Sequence, residues 1–166
     1  MPHSSKNQAT IRCTIISINK GSALSIVRVF KEIPKAAINI RYEVFVREQG
    51  YQSEFDIYDD YSYHLVIFTD NEEPVGTCRL FWSEKRSSFI VGRVAISIEY
   101  RGEGYGSQLL CAAEKKAVEL KAESLDLASQ YKVKEFYEKL GYERYGKLFY
   151  DEGIAHCWMR KQLKTK

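Results

Sequence analysis

The chain has 166 residues, of which 45% are hydrophobic and 13% aromatic, a composition that argues against disorder and favours one globular domain with a buried core. Its 25 Lys and Arg against 22 Asp and Glu leave a net charge of +3, which is too small to indicate nucleic acid as a partner. No stretch reaches the roughly 18 to 20 continuous apolar residues of a membrane span, so we expect a cytoplasmic protein without a membrane partner.

Residues 1–22 are predicted to be a partly loose N-terminal extension, followed by a single domain over residues 23–166. The extension lacks the order of charged, apolar and small residues that marks a secretory signal. The four cysteines are widely spaced and contain no CxxC pair. They therefore predict reduced thiols, with neither a disulfide framework nor a metal site.

The N-terminal part of the chain predicts two strands and a helix. Apolar runs on either side of the turn NKGS predict strands at 10–18 and 23–30. A helix is predicted over residues 34–50, because proline is favoured at a helix start and glycine at its end. Its apolar face consists of Ala37, Ile40 and Val44.

The next segment, YQSEFDIYDDYS at residues 51–62, is predicted to be a loop rich in acids and tyrosines. The acids are Glu54, Asp56, Asp59 and Asp60. They indicate either a negative approach surface for a cationic ligand or, as we expect, only a solvated loop. The aromatic residues similarly indicate a pocket wall or ordinary packing at the edge of a small domain.

Three strands at 63–70, 75–82 and 89–97 are predicted to form an antiparallel meander. The following helix, opened by the glycine segment RGEGYG, has one apolar face and one polar face. The apolar face consists of Leu109, Ala113, Ala117 and Leu120, and the polar face of Glu114, Lys115 and Lys116.

The C-terminal part predicts a strand at 124–129, a short helix at 131–141 and two closing strands joined around residues 151–153. The inner face of the short helix is expected to consist of Val133, Phe136 and Leu140. Strands with intervening helices on a mixed, mostly antiparallel sheet define an α+β fold.

The segment RGEGYG at the mouth of a helix has several interpretations. A Walker A loop requires GxxxxGK, which is absent, and a dinucleotide fingerprint requires a third glycine where the chain has Ser107. A plain strand-to-helix turn needs fewer glycines. The remaining interpretation is an anion nest, in which backbone amides and the positive helix end converge on a diphosphate.

The segment VGRVAISIEYRGEGYGSQLL resembles the acetyl-CoA motif of the GNAT N-acetyltransferase superfamily, whose core is Arg or Gln, two residues, Gly, one residue, then Gly or Ala. Arg101, Gly104 and Gly106 fit this core. Gln130 and FYEKLGY at 136–142 match further positions, while RYEVFVREQG and YDEGIAHCWM are similar to the small ElaA-like branch. The resemblance covers residues 24–163 and implies a single GNAT-type domain.

The resemblance also implies acetyl-CoA as the donor, with free coenzyme A as the co-product, and direct acetyl transfer to an amine. The residues that it marks as cofactor-binding are Val94, Ala95, Ile96, Arg101, Gly102, Glu103, Gly104, Tyr105, Gly106 and Gln130. An amide at Val94 or Ala95 is expected to donate to the thioester oxygen. Tyr105 departs from the family, which often has a smaller aliphatic residue there.

Two residues are predicted to be catalytic. Tyr137 occupies the position of the family's general acid, although its place on the apolar stripe also fits a core tyrosine. Glu48 is the first candidate for the base that deprotonates the amine, followed by Glu54 and His156. Each has an alternative: Glu48 as a solvated or capping residue, His156 as a structural imidazole, and Gln130 as a helix cap.

We therefore expect an acetyl-CoA-dependent N-acetyltransferase that acts on a primary amine of a small molecule. The identity of the acceptor does not follow from the sequence. A homodimer is left open. The alternative is a noncatalytic acyl-CoA-binding or regulatory module that keeps the glycine loop without turnover.

Overall fold

The computed structural model describes residues 11–13 and 25–164. The eight strands in this part of the chain form one sheet in the order β1-β2-β3-β4-β5-β6-β8-β7. They are β1 (Ile11–Cys13), β2 (Ile26–Phe30), β3 (Tyr63–Phe68), β4 (Pro74–Ser83), β5 (Ser88–Ile96), β6 (Ser124–Gln130), β7 (Glu143–Asp151) and β8 (Ile154–Gln162).

The two N-terminal strand predictions have different outcomes. The second is confirmed by β2, and the first is confirmed over the three residues of β1, which pairs antiparallel with β2. The rest of the first prediction lies outside the described residues. The part of the predicted extension that the structure describes thus adds an edge strand to the sheet.

Strands β2 to β5 form the predicted antiparallel meander, and β7 and β8 form the predicted closing hairpin. Strands β5 and β6 run parallel, so the sheet is mixed. A parallel pair requires a crossover connection, which the second helix of the chain provides. The predicted α+β class is therefore confirmed.

Helix α1 (Lys35–Arg41) begins after Pro34 and continues as a π-helical segment over Tyr42–Glu48. The predicted helix is confirmed, and its predicted apolar face is buried at Ala37, Ile40 and Val44. The widening to a π-helix has no signature in the sequence. Such segments are rare and frequently lie at functional sites.

Helix α2 (Tyr105–Glu119) buries Leu109, Ala113 and Ala117 completely, as predicted. The prediction that Lys116 lies on the solvated face is wrong, since this residue is only 7% exposed. Its Nζ lies 4.9 Å from the centre of the Tyr63 ring. A long alkyl stem lets lysine cover apolar surface while its ammonium group keeps polar contacts.

Helix α3 (Lys134–Lys139) follows a 3₁₀ turn and corrects a second prediction. Val133 and Phe136 were expected on its inner face, but they are 43% and 37% exposed. Tyr137 is the buried residue of this helix. The apolar residues around it therefore border an opening in the fold, which is described below.

The core lies where α2 packs on the middle of the sheet, and it contains Leu65, Leu80, Leu109, Leu125 and Met159, all without exposed surface. Cys78, Cys111 and Cys157 are free thiols. In the ranges described, no helix is long and apolar enough to cross a membrane.

Candidate active site

Strands β5 and β6 pair at only two register positions, Phe89 with Leu125 and Ile90 with Asp126. Beyond these pairs the two strands separate, and an open cleft of about 940 Å³ lies beside their C-terminal ends. The predicted site residues lining it are Glu48, Val94, Ala95, Ile96, Arg101, Gly102, Gly104, Tyr105, Gly106, Gln130 and Tyr137. Glu103 is the one predicted residue outside this lining, and it is exposed.

A bulge in β5 adjoins the cleft. The register between β4 and β5 shifts so that Arg93 and Val94 together oppose Cys78. Arg93 has a φ of 52°, in the left-handed region that residues with a side chain rarely adopt. A bulge leaves backbone groups of the extra residue outside the ladder, so the cleft wall offers polar backbone atoms to a ligand.

Glycine is required at the three positions of RGEGYG for two different structural reasons. Gly102 and Gly104 have φ values of 80° and 86°, and a Cβ at either position would have no atom closer than 4.0 Å. A Cβ at Gly106 would lie 3.1 Å from Cζ of Phe136. The first two glycines therefore form a tight turn with open space before it, whereas the third allows the Phe136 ring to approach the start of α2.

Glu48 and Arg101 form a bidentate ion pair at the edge of this turn. Nη1 and Nη2 of Arg101 each donate to a carboxylate oxygen at 2.7 Å, and its Nε donates to the carbonyl of Ile96 at 2.9 Å. The hydrogen bond from Arg101 lowers the pKa of Glu48. A carboxylate held in this way is a poor proton acceptor, so the geometry favours a positioning role over the predicted role as base.

Gln130 connects two walls of the cleft. Its Nε2 donates to Oε1 of Gln49 at 2.8 Å and to the hydroxyl of Tyr51 at 3.3 Å. It makes no capping hydrogen bond at the turn that it begins, so the helix-cap alternative is wrong. Burial, together with the charge of Asp151, raises the pKa of Tyr51, and this phenol stays protonated at neutral pH.

Tyr137 lines the cleft from α3 and is 9% exposed. Its ring makes edge contacts with the rings of Phe136 and Tyr142. Burial, and to a lesser degree Cys78, raises its pKa well above the usual range of a phenol. Tyr137 is thus both a packed residue and a protonated donor beside the cleft.

The loop at 51–62 corrects the expectation of a solvated acidic segment. Glu54 and Asp59 are only 4% and 8% exposed. Arg41, itself buried, lies between them, with its Nε 2.8 Å from a carboxylate oxygen of Glu54 and its Nη1 2.6 Å from Asp59. Burial raises the pKa of Glu54 despite this partner.

Two further arginines complete the network. Nη1 of Arg79 lies 2.9 Å from Asp59 and 2.6 Å from Asp56. Arg93, at the bulge, reaches Glu54 at 3.1 Å and Asp56 at 3.3 Å. Because these acids are neutralised by arginines, they form no negative approach surface; Asp60 alone of the four is exposed without a described ion pair.

The two buried histidines lie in different surroundings. His64 is 1% exposed within β3, and its Nε2 donates to the carbonyl of Asp59 at 2.9 Å, consistent with the expected place in the sheet. His156 lies in β8, is 7% exposed and lines the cleft. Its Nδ1 donates to the carbonyl of Ile154 at 2.8 Å.

Some cleft residues had no signal in the sequence, and others had one that was overlooked. Gln49 follows Glu48 within the segment RYEVFVREQG that the resemblance already marked, and Tyr51 comes directly after Gly50, outside that segment. Arg93 lies within the marked segment VGRVAISIEYRGEGYGSQLL, but the bulge that turns its side chain toward the loop depends on the partner strand and has no signature in that segment.

The separating parallel strands, the bulge and the glycine turn before α2 define the fold of an acyl-CoA N-acyltransferase. Residues 31–163 match the family described as the acetyltransferase (GNAT) domain. The chain therefore belongs to the GNAT family and is an acetyl-transferring enzyme that uses an acyl-CoA. The predicted family and fold are confirmed.

Known proteins agree with this assignment. The uncharacterized N-acetyltransferase YjcF of Bacillus subtilis is 35% identical over 130 residues, which cover 76% of this chain and 91% of that protein. An acyl-CoA N-acyltransferase from Pseudomonas aeruginosa superimposes with a TM-score of 0.68 at 27% identity, covering 76% of this chain and 87% of that one. Escherichia coli ElaA, at 24% identity, a TM-score of 0.68 and coverages of 76% and 88%, shares the fold.

Proposed function

We propose that this enzyme transfers an acetyl group from acetyl-CoA directly to a primary amine of a small molecule. One observation carries the proposal. The glycine turn at the start of α2, the bulge of β5 and the hydroxyl-bearing Tyr137 all border the same cleft. These are the three parts that the reaction needs: a site for an anionic carrier, donors for a carbonyl oxygen and a proton source.

The residues at the turn fit a diphosphate. Gly102 and Gly104 leave open the space that side chains would fill, so backbone amides of residues 101–106 are accessible to an anion. The N-terminus of α2, a helix of 15 residues, adds its positive dipole end. Arg101 lies at the entrance, where its ion pair with Glu48 fixes the position of the guanidinium group.

The edge of β5 beyond Ile90, which is not paired with β6, fits the amide-bearing arm of coenzyme A. Val94, Ala95 and Ile96 lie along the cleft just after the bulge. Bound acetyl-CoA supplies an activated thioester, and an amide at Val94 or Ala95 would donate to its carbonyl oxygen. A single donor of this kind is typically worth about 3 to 4 kcal/mol of transition-state stabilisation.

Tyr137 is proposed to protonate the departing thiolate. Its raised pKa keeps the phenol protonated at neutral pH. A phenol is a weaker acid than a thiol with a pKa of about 8.5, so its proton moves to the sulfur as the phenol oxygen takes the proton that the amine nitrogen loses. No acyl-enzyme is required, because the amine attacks the thioester directly.

The test has two parts. We expect acetyl-CoA to raise the melting temperature of the purified protein, and we expect free thiol to be released when acetyl-CoA is mixed with one member of a set of primary amines that includes aminosugars, polyamines, peptides and aminoglycosides. A thermal shift without thiol release from any amine would favour the noncatalytic alternative. The absence of a shift would contradict the site itself.

A further inference from the structure

We propose that His156 is the group that accepts the proton of the acceptor amine. The inference rests on the proposed N-acetyltransferase function and adds the residue that makes the amine nucleophilic. An alkylammonium has a pKa of about 10 and is almost fully protonated at neutral pH. It must therefore lose a proton before it attacks a thioester.

The hydrogen bond of His156 defines which of its nitrogens is basic. Nδ1 lies 2.8 Å from the carbonyl oxygen of Ile154. A carbonyl oxygen only accepts hydrogen bonds, so Nδ1 carries the proton, and in the neutral ring Nε2 holds the free lone pair. The ring is fixed further by stacking on Phe149, with 5.6 Å between ring centres and an angle of 27°.

The sheet register places this imidazole on the cleft side. His156 of β8 lies directly opposite Gln130 of β6, and side chains of directly paired residues point to the same face of a sheet. The Gln130 side chain bonds Gln49 and Tyr51, which also line the cleft. His156 is itself a lining residue although it is only 7% exposed.

The carboxylates that line the cleft are poorer candidates than His156 for the base. Glu48 is held by Arg101, and Glu54 is held by Arg41 and Arg93. Asp151 lines the cleft but is exposed at the end of β7. The remaining charged side chain of the lining is Lys132, a cation. Histidine is the side chain that most often serves in general acid–base catalysis.

The proton balance is simple. The ammonium group transfers one proton to Nε2 of His156, and the free amine then forms the C–N bond as the C–S bond breaks. The departing sulfur takes a proton from Tyr137. A second proton leaves the nitrogen as the amide forms and restores the phenol. Each turnover thus yields the amide, free coenzyme A and one proton, which His156 returns to solvent.

The first experiment measures thiol release against pH for the wild type, His156→Gln and Asp151→Asn, with acetyl-CoA and the amine that supports the fastest release in the screen above. We expect His156→Gln to lose about 10²-fold or more of kcat near neutral pH. The loss should narrow as pH approaches the pKa of the amine, because the acceptor then deprotonates without help. The thermal shift by acetyl-CoA should remain.

Several outcomes would overturn the role of His156. One is full activity of His156→Gln, and another is a loss of kcat in His156→Gln that is equal at every pH. A third is that Asp151→Asn, and not His156→Gln, loses kcat near neutral pH and recovers it at high pH. A wild type that releases thiol with none of the amines overturns the transferase proposal and this role together, whereas wild-type turnover with an unaffected variant overturns this role alone.

A second measurement needs no variant and no substrate. Long-range ¹⁵N–¹H NMR distinguishes the two neutral tautomers of each histidine. His64 provides an internal reference with the opposite tautomer, since its Nε2 donates to a carbonyl oxygen. We expect the Nδ1–H tautomer for His156 and the Nε2–H tautomer for His64 at a pH where both rings are neutral. An Nε2–H tautomer at His156 would overturn the proposal.

Discussion

Glu48 and Arg101 lie 53 residues apart in the chain and share two hydrogen bonds of 2.7 Å. The pair joins the π-helical end of the first helix to the turn that opens α2. Because Arg101 is also bound to the carbonyl of Ile96 at the end of β5, three elements around the cleft meet at one guanidinium group.

We predict that Glu48→Gln weakens binding of acetyl-CoA by about two- to fivefold, the size expected for a partly exposed ion pair. The neutral side-chain amide of this variant no longer forms the charged, bidentate pair that fixes the guanidinium group of Arg101. The pH dependence of kcat should not change, because we propose His156 and not this carboxylate as the base. Calorimetry gives the affinity and thiol release gives the pH profile.

A matched control is Glu43→Gln, which removes an exposed ion pair with Arg47 on the same helix and should leave acetyl-CoA binding unaltered. If Glu48→Gln instead lost kcat near neutral pH and recovered it at high pH, Glu48 would be the base as the sequence first indicated.

We predict that Gly104→Trp abolishes the rise in melting temperature caused by acetyl-CoA. The indole would fill the open space in front of the turn. Gly146→Trp is the control, since Gly146 also has a positive φ, 70°, with no atom near its missing Cβ, but lies on β7 outside the cleft lining. Both variants should suffer similar backbone strain, of about 1 kcal/mol, so equal thermal shifts in the two would contradict the assignment of the turn.

We predict that Tyr137→Phe keeps the thermal shift by acetyl-CoA and lowers kcat by about 10²-fold. The ring contacts with Phe136 and Tyr142 remain in this variant, while the proton donor is lost. A fully active Tyr137→Phe would remove Tyr137 from the acid role. Steady-state thiol release in both proteins decides the matter.

We predict that Asp59→Asn lowers the free energy of unfolding by about 3 kcal/mol at neutral pH, because it leaves Arg41 and Arg79 without a shared buried partner. Burial alone would raise the pKa of Asp59, but hydrogen bonds from Arg41, the Asp56 amide and Arg79 outweigh it and hold the pKa well below its usual range.

An acid whose pKa is lower in the folded state stabilises the fold above its unfolded pKa of about 4, and this contribution is lost as pH falls toward the folded value. The difference between the wild type and Asp59→Asn should therefore shrink below about pH 4. The pKa of Glu54 is raised in the folded state, so protonation of Glu54 at low pH favours folding and offsets part of the stability that is lost as Asp59 is protonated. Urea unfolding at several pH values measures the effect, with Asp60→Asn, an exposed neighbour, as the control; an equal loss in both variants would contradict the prediction.

Much of the fold, including the glycine turn before α2, was predictable from the sequence because the signals are local. The runs of β-branched and aromatic residues in β3, β4 and β5, and the proline and glycine that bound the first helix, depend on nearby positions only. The glycine turn was identified for the same reason, since the φ values of Gly102 and Gly104 are a property of six consecutive residues.

Helical periodicity wrongly predicted that Val133 and Phe136 are buried and that Lys116 is exposed. A period of 3.6 identifies a face of a helix but does not say whether that face meets a core or an open cleft. The separation of β5 from β6 makes the surroundings of α3 open, and this separation is a relation between two strands.

The sequence by itself determined the family, the α+β architecture and the turn before α2, because backbone preference and residue spacing are written in neighbouring positions. Only the tertiary structure decided what each charged or polar side chain does. The ion pair of Glu48, the arginines that neutralise Glu54 and Asp59, the hydrogen bonds of Gln130 and the tautomer of His156 all depend on the environment of each group. Electrostatic roles are set by desolvation and by partners brought from distant parts of the chain, and one-dimensional spacing does not record either.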